Sequence, residues 1–295
     1  MSGPQAPNEA NTMNGVDAIR AMNAAGATRI GCAIDGATRL YAIVGDPVAQ
    51  VRSPAVYTEA FARAGRNALL FAAQVGDARF DEAVRGLMAL GNLDGLLVTS
   101  PHKARMAPLA ARLSPRAAIV GAVNALRREP DGSWSGEMFD GVGFVAAARR
   151  VAPLAGLRAL VFGCGGAGAA IAAELAADGV REIALLDPDR ARAARLAGEL
   201  AQHFPACRAG IERDGGAYDI VINASTVGMR DGDALPGEPG PLTARSIVGD
   251  VVLRPEASPT TLVARARQAG ARIVSGRDMH AGQVDAILDF FAVPR

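Results

Sequence analysis

The stretch VFGCGGAGAA, residues 161–170, constrains the fold more than any other part of the chain. An apolar run, LRALVFG, leads into it, and an alanine-rich run, AGAAIAAELAADG, leaves it. Gly163, Gly165 and Gly168 fit the spacing G-x-G-x-x-G, with Gly166 and Ala167 between the last two. Glycines between a strand and a helix let the backbone turn tightly and come close to a pyrophosphate. The phosphates then rest on the free N–H groups of the helix N-terminus. A second strand, EIALLD, ends in Asp187, near the interval of about 20 residues at which a carboxylate meets a ribose 2′-hydroxyl. These signs predict a Rossmann-type dinucleotide-binding unit. A carboxylate at that strand end repels a 2′-phosphate, and Pro188 and Asp189 come before any arginine, so NAD is the favoured cofactor. NADP stays possible if Arg190 or Arg192 swings in to hold the phosphate.

The same alternation of strand and helix begins earlier. LYAIVG, ALLFAAQV and LDGLLVT read as strands, and SPAVYTEAFARAG, FDEAVRGLMAL and HKARMAPLAARL as helices between and after them. Ser53 is expected to cap the first of these helices, with Pro54 at its first position. NALRREPDGSWSGEM reads as a hairpin turning at Asp131-Gly132. Beyond the glycine turn, ARAARLAGELAQHF and MHAGQVDAILDFF read as helices, and YDIVINAS and SIVGDVVL as strands. The fold class expected is α/β, an N-terminal α/β substrate domain plus a Rossmann-type domain. Residues 1–38 form a tail and extension, the first 14 or so disordered and VDAIRAMNAA a short helix before a strand. Residues 39–140 form the substrate-binding domain, completed by a returning helix at 279–291, and residues 141–278 bind the dinucleotide.

Composition narrows the class further. Net charge is +1, from 31 basic and 30 acidic residues, and aromatics make up 4%, which argues against nucleic acid and anionic membranes as partners. Cys32, Cys164 and Cys207 are isolated, odd in number and without CxxC spacing. They read as reduced thiols of a cytoplasmic protein, with neither a disulfide framework nor a metal site. The opening MSGPQAPNEANTMNG is too polar for a signal peptide, and no apolar run reaches membrane length. The expected partner is a small-molecule hydroxy acid, and the expected state a monomer or homodimer.

Of the 31 lysines and arginines, only Lys103 is a lysine. A guanidinium stays protonated, whereas an ammonium can take part in proton transfer. Around it, GDPVAQVRSP, LDGLLVTSPHK, VGAVNALRRE and EMFDGVGF resemble the shikimate/quinate dehydrogenases, and INASTVGM, VGDVVLRP and MHAGQVDAIL continue the resemblance in unbroken order over residues 39–291. The resemblance implies a nicotinamide-dependent oxidoreductase acting on a secondary alcohol of a cyclic hydroxy acid. It implies Lys103 and Asp140 as the catalytic pair. Ser53, Thr99, Asn124 and Gln283 fall at substrate-contacting positions. Gly163 to Gly168, Asp187, Arg192, Asn223, Ser225 and Asp250 fall on the cofactor side. The chemistry is consistent: a lysine and an aspartate bracketing a hydroxyl can share its proton while the carbon-bound hydrogen leaves as hydride. Asp140 alone also fits a helix N-cap.

Four positions depart from the family pattern. Val51 stands where the first of two carboxylate-binding serines is usual, Leu97 for an asparagine, Phe139 for a threonine and Leu253 for a tyrosine. With the catalytic pair retained, this implies poor but measurable turnover of shikimate and a better substrate with fewer hydroxyls or an amino substituent. A reading of another class is a dinucleotide-sensing protein without catalysis, for which the pair would have no use. His102 and His280 adjoin the implied pocket, and His203 falls on a surface-like helix.

Overall fold

The computed structural model describes residues 34–293; the helix and strand expected within residues 15–38, and Cys32, lie outside them. The chain runs β1 (Arg39–Gly45), α1 (Ser53–Arg63), β2 (Ala68–Gln74), α2 (Phe80–Ala89), β3 (Leu93–Val98), a single turn α3 (Lys103–Met106), β4 (Arg112–Leu113), α4 (Pro115–Val120), β5 (Ala125–Arg128), β6 (Trp134–Glu137) and α5 (Asp140–Arg149). It continues β7 (Arg158–Phe162), α6 (Gly166–Ala177), β8 (Glu182–Leu186), α7 (Arg190–His203), β9 (Arg208–Gly210), β10 (Ile220–Asn223), β11 (Ile247–Asp250), α8 (Thr261–Gln268), β12 (Arg272–Ser275) and α9 (Gly276–Phe290).

Two six-stranded sheets organise these elements. The first has the order β2-β1-β3-β5-β6-β4. Its β1, β2 and β3 are parallel, while β5 runs antiparallel to β3 and pairs with β6 as the expected hairpin. The second has the order β12-β11-β10-β7-β8-β9 and is parallel throughout. The order reverses between β7 and β10, and such a switch point opens a crevice at the carboxyl ends of the strands. Register sets a row along that edge: Leu186, Phe162, Asn223, Asp250 and Ser275 stand side by side.

Several elements differ from the sequence reading. The single helix expected at 102–113 stops after Met106, becomes a 3-10 turn over Ala107–Leu109 and then a short strand. Pro108 explains the break, because it offers no N–H and its ring clashes with the preceding turn. Helices α4 and α8 form where none was read, each opened by a hydroxyl cap: Ser114 accepts from the Ala117 N–H at 3.1 Å, and Thr260 from the Val263 N–H at 3.2 Å. The last helix starts three residues earlier than read, at Gly276, on a capping box between Ser275 and Asp278.

Helices α5 and α9 tie the two sheets together. Phe144, Val145, Ala147 and Ala148 of α5 bury against the second sheet with Val161, Ile220 and Ile247. Ile287, Leu288 and Phe291, at the end of α9, bury against the first sheet with Tyr41, Ile43 and Phe61. The helices meet at Gly143 and Gly282, where a Cβ on either would strike the backbone of the other helix. Gly143→Ala should therefore cost about 1–3 kcal/mol, the usual penalty of overpacking. Gly86, exposed in α2 with nothing within 4 Å of a Cβ, is the control. Gly86→Ala should raise stability by about 0.5–1 kcal/mol. Urea denaturation of the two variants checks this, and an equal effect of both would refute the close crossing.

Candidate active site

Three backbone segments converge at the carboxyl end of β3. Val98 N–H donates to the Asn124 carbonyl at 2.8 Å, and Val123 N–H to the Lys103 carbonyl at 3.0 Å. Asn124 N–H donates to the Glu137 carbonyl at 3.0 Å. Lys103 and Asn124 are thus held side by side, and Asp140 follows just after β6. Thr99 sits at the end of β3, its N–H donating to the Val44 carbonyl.

The side chains then form one network. Lys103 Nζ is ion-paired with Asp140 Oδ2, and the two side chains are 16% and 3% exposed. Asn124 Nδ2 donates to Asp140 Oδ1 and to Gln283 Oε1, each at 2.8 Å. Asn124 Oδ1 accepts from the Phe139 N–H at 2.8 Å. Three of the four hydrogen-bonding directions of that buried amide are taken, which restrains the Asp140 carboxylate and the Gln283 amide. Asp140 opens α5, yet its carboxylate caps nothing; Phe139 occupies the cap position without a side-chain bond. The carboxylate is held for the pair, and the N-cap role does not apply.

Ser53 departs in the same way. The sequence predicts that it caps α1, but Arg52 is the cap residue and makes no side-chain bond there. The Ser53 hydroxyl instead lies 3.3 Å from Nε2 of His280, a residue whose part in the site the sequence did not decide. His280 stands one turn before Gln283 on α9, and that spacing was the available signal. Burial, the largest effect, holds the His280 imidazole below its usual range. Asp140 pulls it back up and Arg52 pushes it down further. His102 lies apart, buried against Phe80, and His203 faces Glu199 on the surface of α7.

Of the four altered positions, Leu97 and Phe139 are buried in one apolar cluster and Val51 packs against it. The Phe139 ring meets Phe290 edge-on at 5.6 Å. Leu253 lies apart and is 43% exposed.

The glycine turn joins this site to the second sheet. Gly163 takes φ +92°, and a Cβ there would lie 2.7 Å from the Ser225 nitrogen; a Cβ on Gly168 would strike the Gly163 carbonyl oxygen. Glycine is thus required at both places. At Gly165 nothing lies within 4 Å of a Cβ, and no side chain caps the first turn of α6. The loop therefore offers open space beside uncapped N–H groups, which fits a pyrophosphate. A Cβ on Gly166 would lie 3.3 Å from the Lys103 Cβ, so the lysine stem packs directly against the start of α6.

Asp187 closes the far side of the loop. Its carboxylate accepts from the Cys164 N–H at 2.7 Å and the Asp189 N–H at 2.9 Å. Arg192 reaches both Asp187 and Asp189 at 3.4 Å, and Arg190 faces Glu212 at 3.2 Å. Asn223 and Asp250 are buried, and their side chains work within the protein. Asn223 bonds Ser225, the Val227 carbonyl and Asp250, while Asp250 accepts from the Val252 N–H and Thr260. They shape the loop from 223 to 228, and burial pushes the Asp250 carboxyl up from its ordinary value.

Known proteins resemble this chain in sequence and in fold. The family profile for the shikimate dehydrogenase substrate binding domain matches residues 43–126. A shikimate dehydrogenase (NADP(+)) of Rubrobacter xylanophilus is 39% identical over 254 residues, which are 83% of this chain and 88% of that protein. Among solved structures, a shikimate 5-dehydrogenase of Listeria monocytogenes in complex with shikimate and NAD has a TM-score of 0.78 at 28% identity, covering 90% of this chain and 96% of that one. A 5-ketofructose reductase of Gluconobacter sp. has a TM-score of 0.72 at 28% identity, covering 86% and 92%. The paired lobes, the glycine turn and an identity of that level over most of both chains place this chain in the shikimate/quinate dehydrogenase family.

Proposed function

We propose that this chain transfers a hydride between a nicotinamide dinucleotide and a secondary alcohol of a shikimate- or quinate-like cyclic hydroxy acid, interconverting shikimate and 3-dehydroshikimate or a closely related pair. The observation that carries this reading is the buried Lys103–Asp140 pair, fixed by Asn124 and packed through the lysine stem on the first turn of α6. Residues 39–140, with the helix at 279–291, act as the substrate lobe, and residues 141–278 as the dinucleotide lobe.

A bound nicotinamide supplies the hydride acceptor. The chain's own residues do the rest. Lys103 and Asp140 hold the substrate hydroxyl and take up its proton as the carbonyl forms, Lys103 stabilising the negative charge that develops on the oxygen. Asn124 and Gln283 keep the carboxylate in one rotamer and orient the ring. Ser53 and Thr99 contact its polar groups. Gly163, Gly165 and Gly168 would let a pyrophosphate approach, and the uncapped N–H groups of Gly166, Ala167 and Gly168 would hold it. Val51, Leu97 and Phe139 make one side of the site less polar, which suits a substrate with fewer ring hydroxyls.

NAD is the preferred cofactor in this reading. Arg192 lies between two carboxylates and Arg190 is drawn to Glu212, so neither guanidinium is left to balance a 2′-phosphate. The support is local, since the Rubrobacter relative carries NADP(+) in its name while the Listeria structure holds NAD. Steady-state kcat/KM with each dinucleotide checks it: NAD⁺ should be favoured, and Asp187→Ser should shift preference towards NADP⁺. A wild-type preference for NADP⁺ would show that Arg192 leaves its carboxylates to clamp the phosphate.

The pair has its own test. Lys103→Ala should lower kcat by about two to four orders of magnitude, the range for losing a proton-transfer group. Lys103→Arg should restore charge without restoring the rate. Asp140→Asn should fall as far while circular dichroism stays native. An arginine variant with most of the wild-type kcat would exclude proton transfer by Lys103.

A further inference from the structure

Helix α6 starts at the glycine turn and lays one face against elements of the first sheet. Gly166, Ala170 and Glu174 recur every four residues, which puts them in one row along the helix. Each meets a different part of the surroundings of the Lys103–Asp140 pair. A Cβ on Gly166 would press on the Lys103 stem. Ala170 is buried in the apolar cluster of the first sheet with Ala117, Val123 and Met138, and a Cβ on Gly141, next to Asp140, would strike its carbonyl. Glu174 accepts from Arg116 Nε at 2.9 Å.

Arg116 is fixed in turn to the segment that carries Asp140. It lies on α4, whose capping residue Ser114 also donates to Glu137 Oε1 at 2.5 Å. The same oxygen accepts from the Met138 N–H at 2.8 Å and lies 3.7 Å from Arg116 Nη1. The Glu137 carbonyl accepts from the Asn124 N–H at 3.0 Å. One guanidinium thus stands between two carboxylates. Glu137 precedes Asp140 by three residues, and Glu174 lies two turns along α6 from the glycine turn. All three side chains are partly buried. A partly exposed ion pair adds little to stability, whereas a planar fork held on both sides fixes orientation.

We infer that Arg116 is a positioning residue for hydride transfer: by pinning Glu174 to Glu137 it sets the register of α6, and with it the dinucleotide, against the Lys103–Asp140 pair. The inference rests on the dehydrogenase reading above and adds to it the group that holds the two reactants in register. Arg116 itself lies outside the reacting pair and the glycine turn. The apolar contacts around Ala170 are non-directional and leave α6 free to slide. The charged contacts at Glu174 are directional and stop it. A misplacement of about 1 Å between reacting groups costs far more in rate than in affinity.

Kinetics and binding with Arg116→Gln and Glu174→Gln test this. In each variant kcat should fall about tenfold to a hundredfold. KM for shikimate and for the dinucleotide should change far less, because neither residue meets a ligand. The double variant should be no slower than the slower single one, since both remove the same pin. Arg116→Lys, which keeps the charge but not the fork, should recover part of the rate. A merely structural role would lower the urea midpoint and leave kcat unchanged. Calorimetric titration gives a readout apart from turnover. NADH and shikimate are both reduced forms, so they bind together without reacting. In the wild type each should tighten the other's binding about fivefold or more, and both variants should lose that coupling while still binding each ligand alone. An unchanged kcat in both variants, or a coupling equal to that of the wild type, would overturn the pin and leave the dehydrogenase reading standing. A wild type that turns over neither shikimate nor quinate with either dinucleotide would overturn that reading instead. The coupling then decides for the pin: its loss in both variants upholds it, and its persistence there or its absence from the wild type overturns it.

Discussion

The amide of Asn124 is the contact on which the rest of the site depends. It is buried, and its three bonds reach α5 through Phe139 and Asp140, and α9 through Gln283. A buried ion pair is a poor source of stability, because taking both charges out of water offsets most of their attraction. The Lys103–Asp140 pair is therefore better explained by reactivity than by stability, and Asn124 is what keeps it in one geometry. Two helix starts point the same way. Asp140 and Ser53 are the first residues of α5 and α1, and neither side chain caps its helix: Asp140 bonds Lys103 and Asn124, and Ser53 meets His280.

The two lobes meet through helices that belong to both. Helix α5 begins at the pair and buries its length against the second sheet, while α9 begins at the end of β12 and finishes in the core of the first sheet. Their crossing at Gly143 and Gly282 brings Gln283 within reach of Asn124. Packing of Gly166 on the Lys103 stem makes a second link, from the glycine turn to the Lys103–Asp140 pair.

Much of this was legible in the chain, for physical reasons. Glycines at 163, 165 and 168 flanked by a strand and a helix admit few backbone paths, and Asp187 follows at the interval one βαβ unit sets. Helix α4 carries a legible start as well: Ser114-Pro115 is the same dipeptide as Ser53-Pro54, and here the serine does cap the helix. Helix α8 carries a threonine cap and a closing glycine at position 270. The break at Pro108 follows from its missing N–H. The linkage of Asn124 with Asp140 and Gln283, and that of Ser53 with His280, were not legible, because they join residues far apart in the chain through tertiary packing alone. No local pattern says that a serine at a helix start will decline the cap.

A crystal structure of the chain with NAD⁺ and shikimate tests the central claim most directly. The account predicts the reacting hydroxyl within about 2.6–3.2 Å of both Lys103 Nζ and an Asp140 carboxylate oxygen, the reach a proton-transfer group requires. It also predicts the dinucleotide pyrophosphate on the first turn of α6. A substrate hydroxyl lying beyond reach of both side chains, with the Lys103–Asp140 pair closed upon itself, would contradict it.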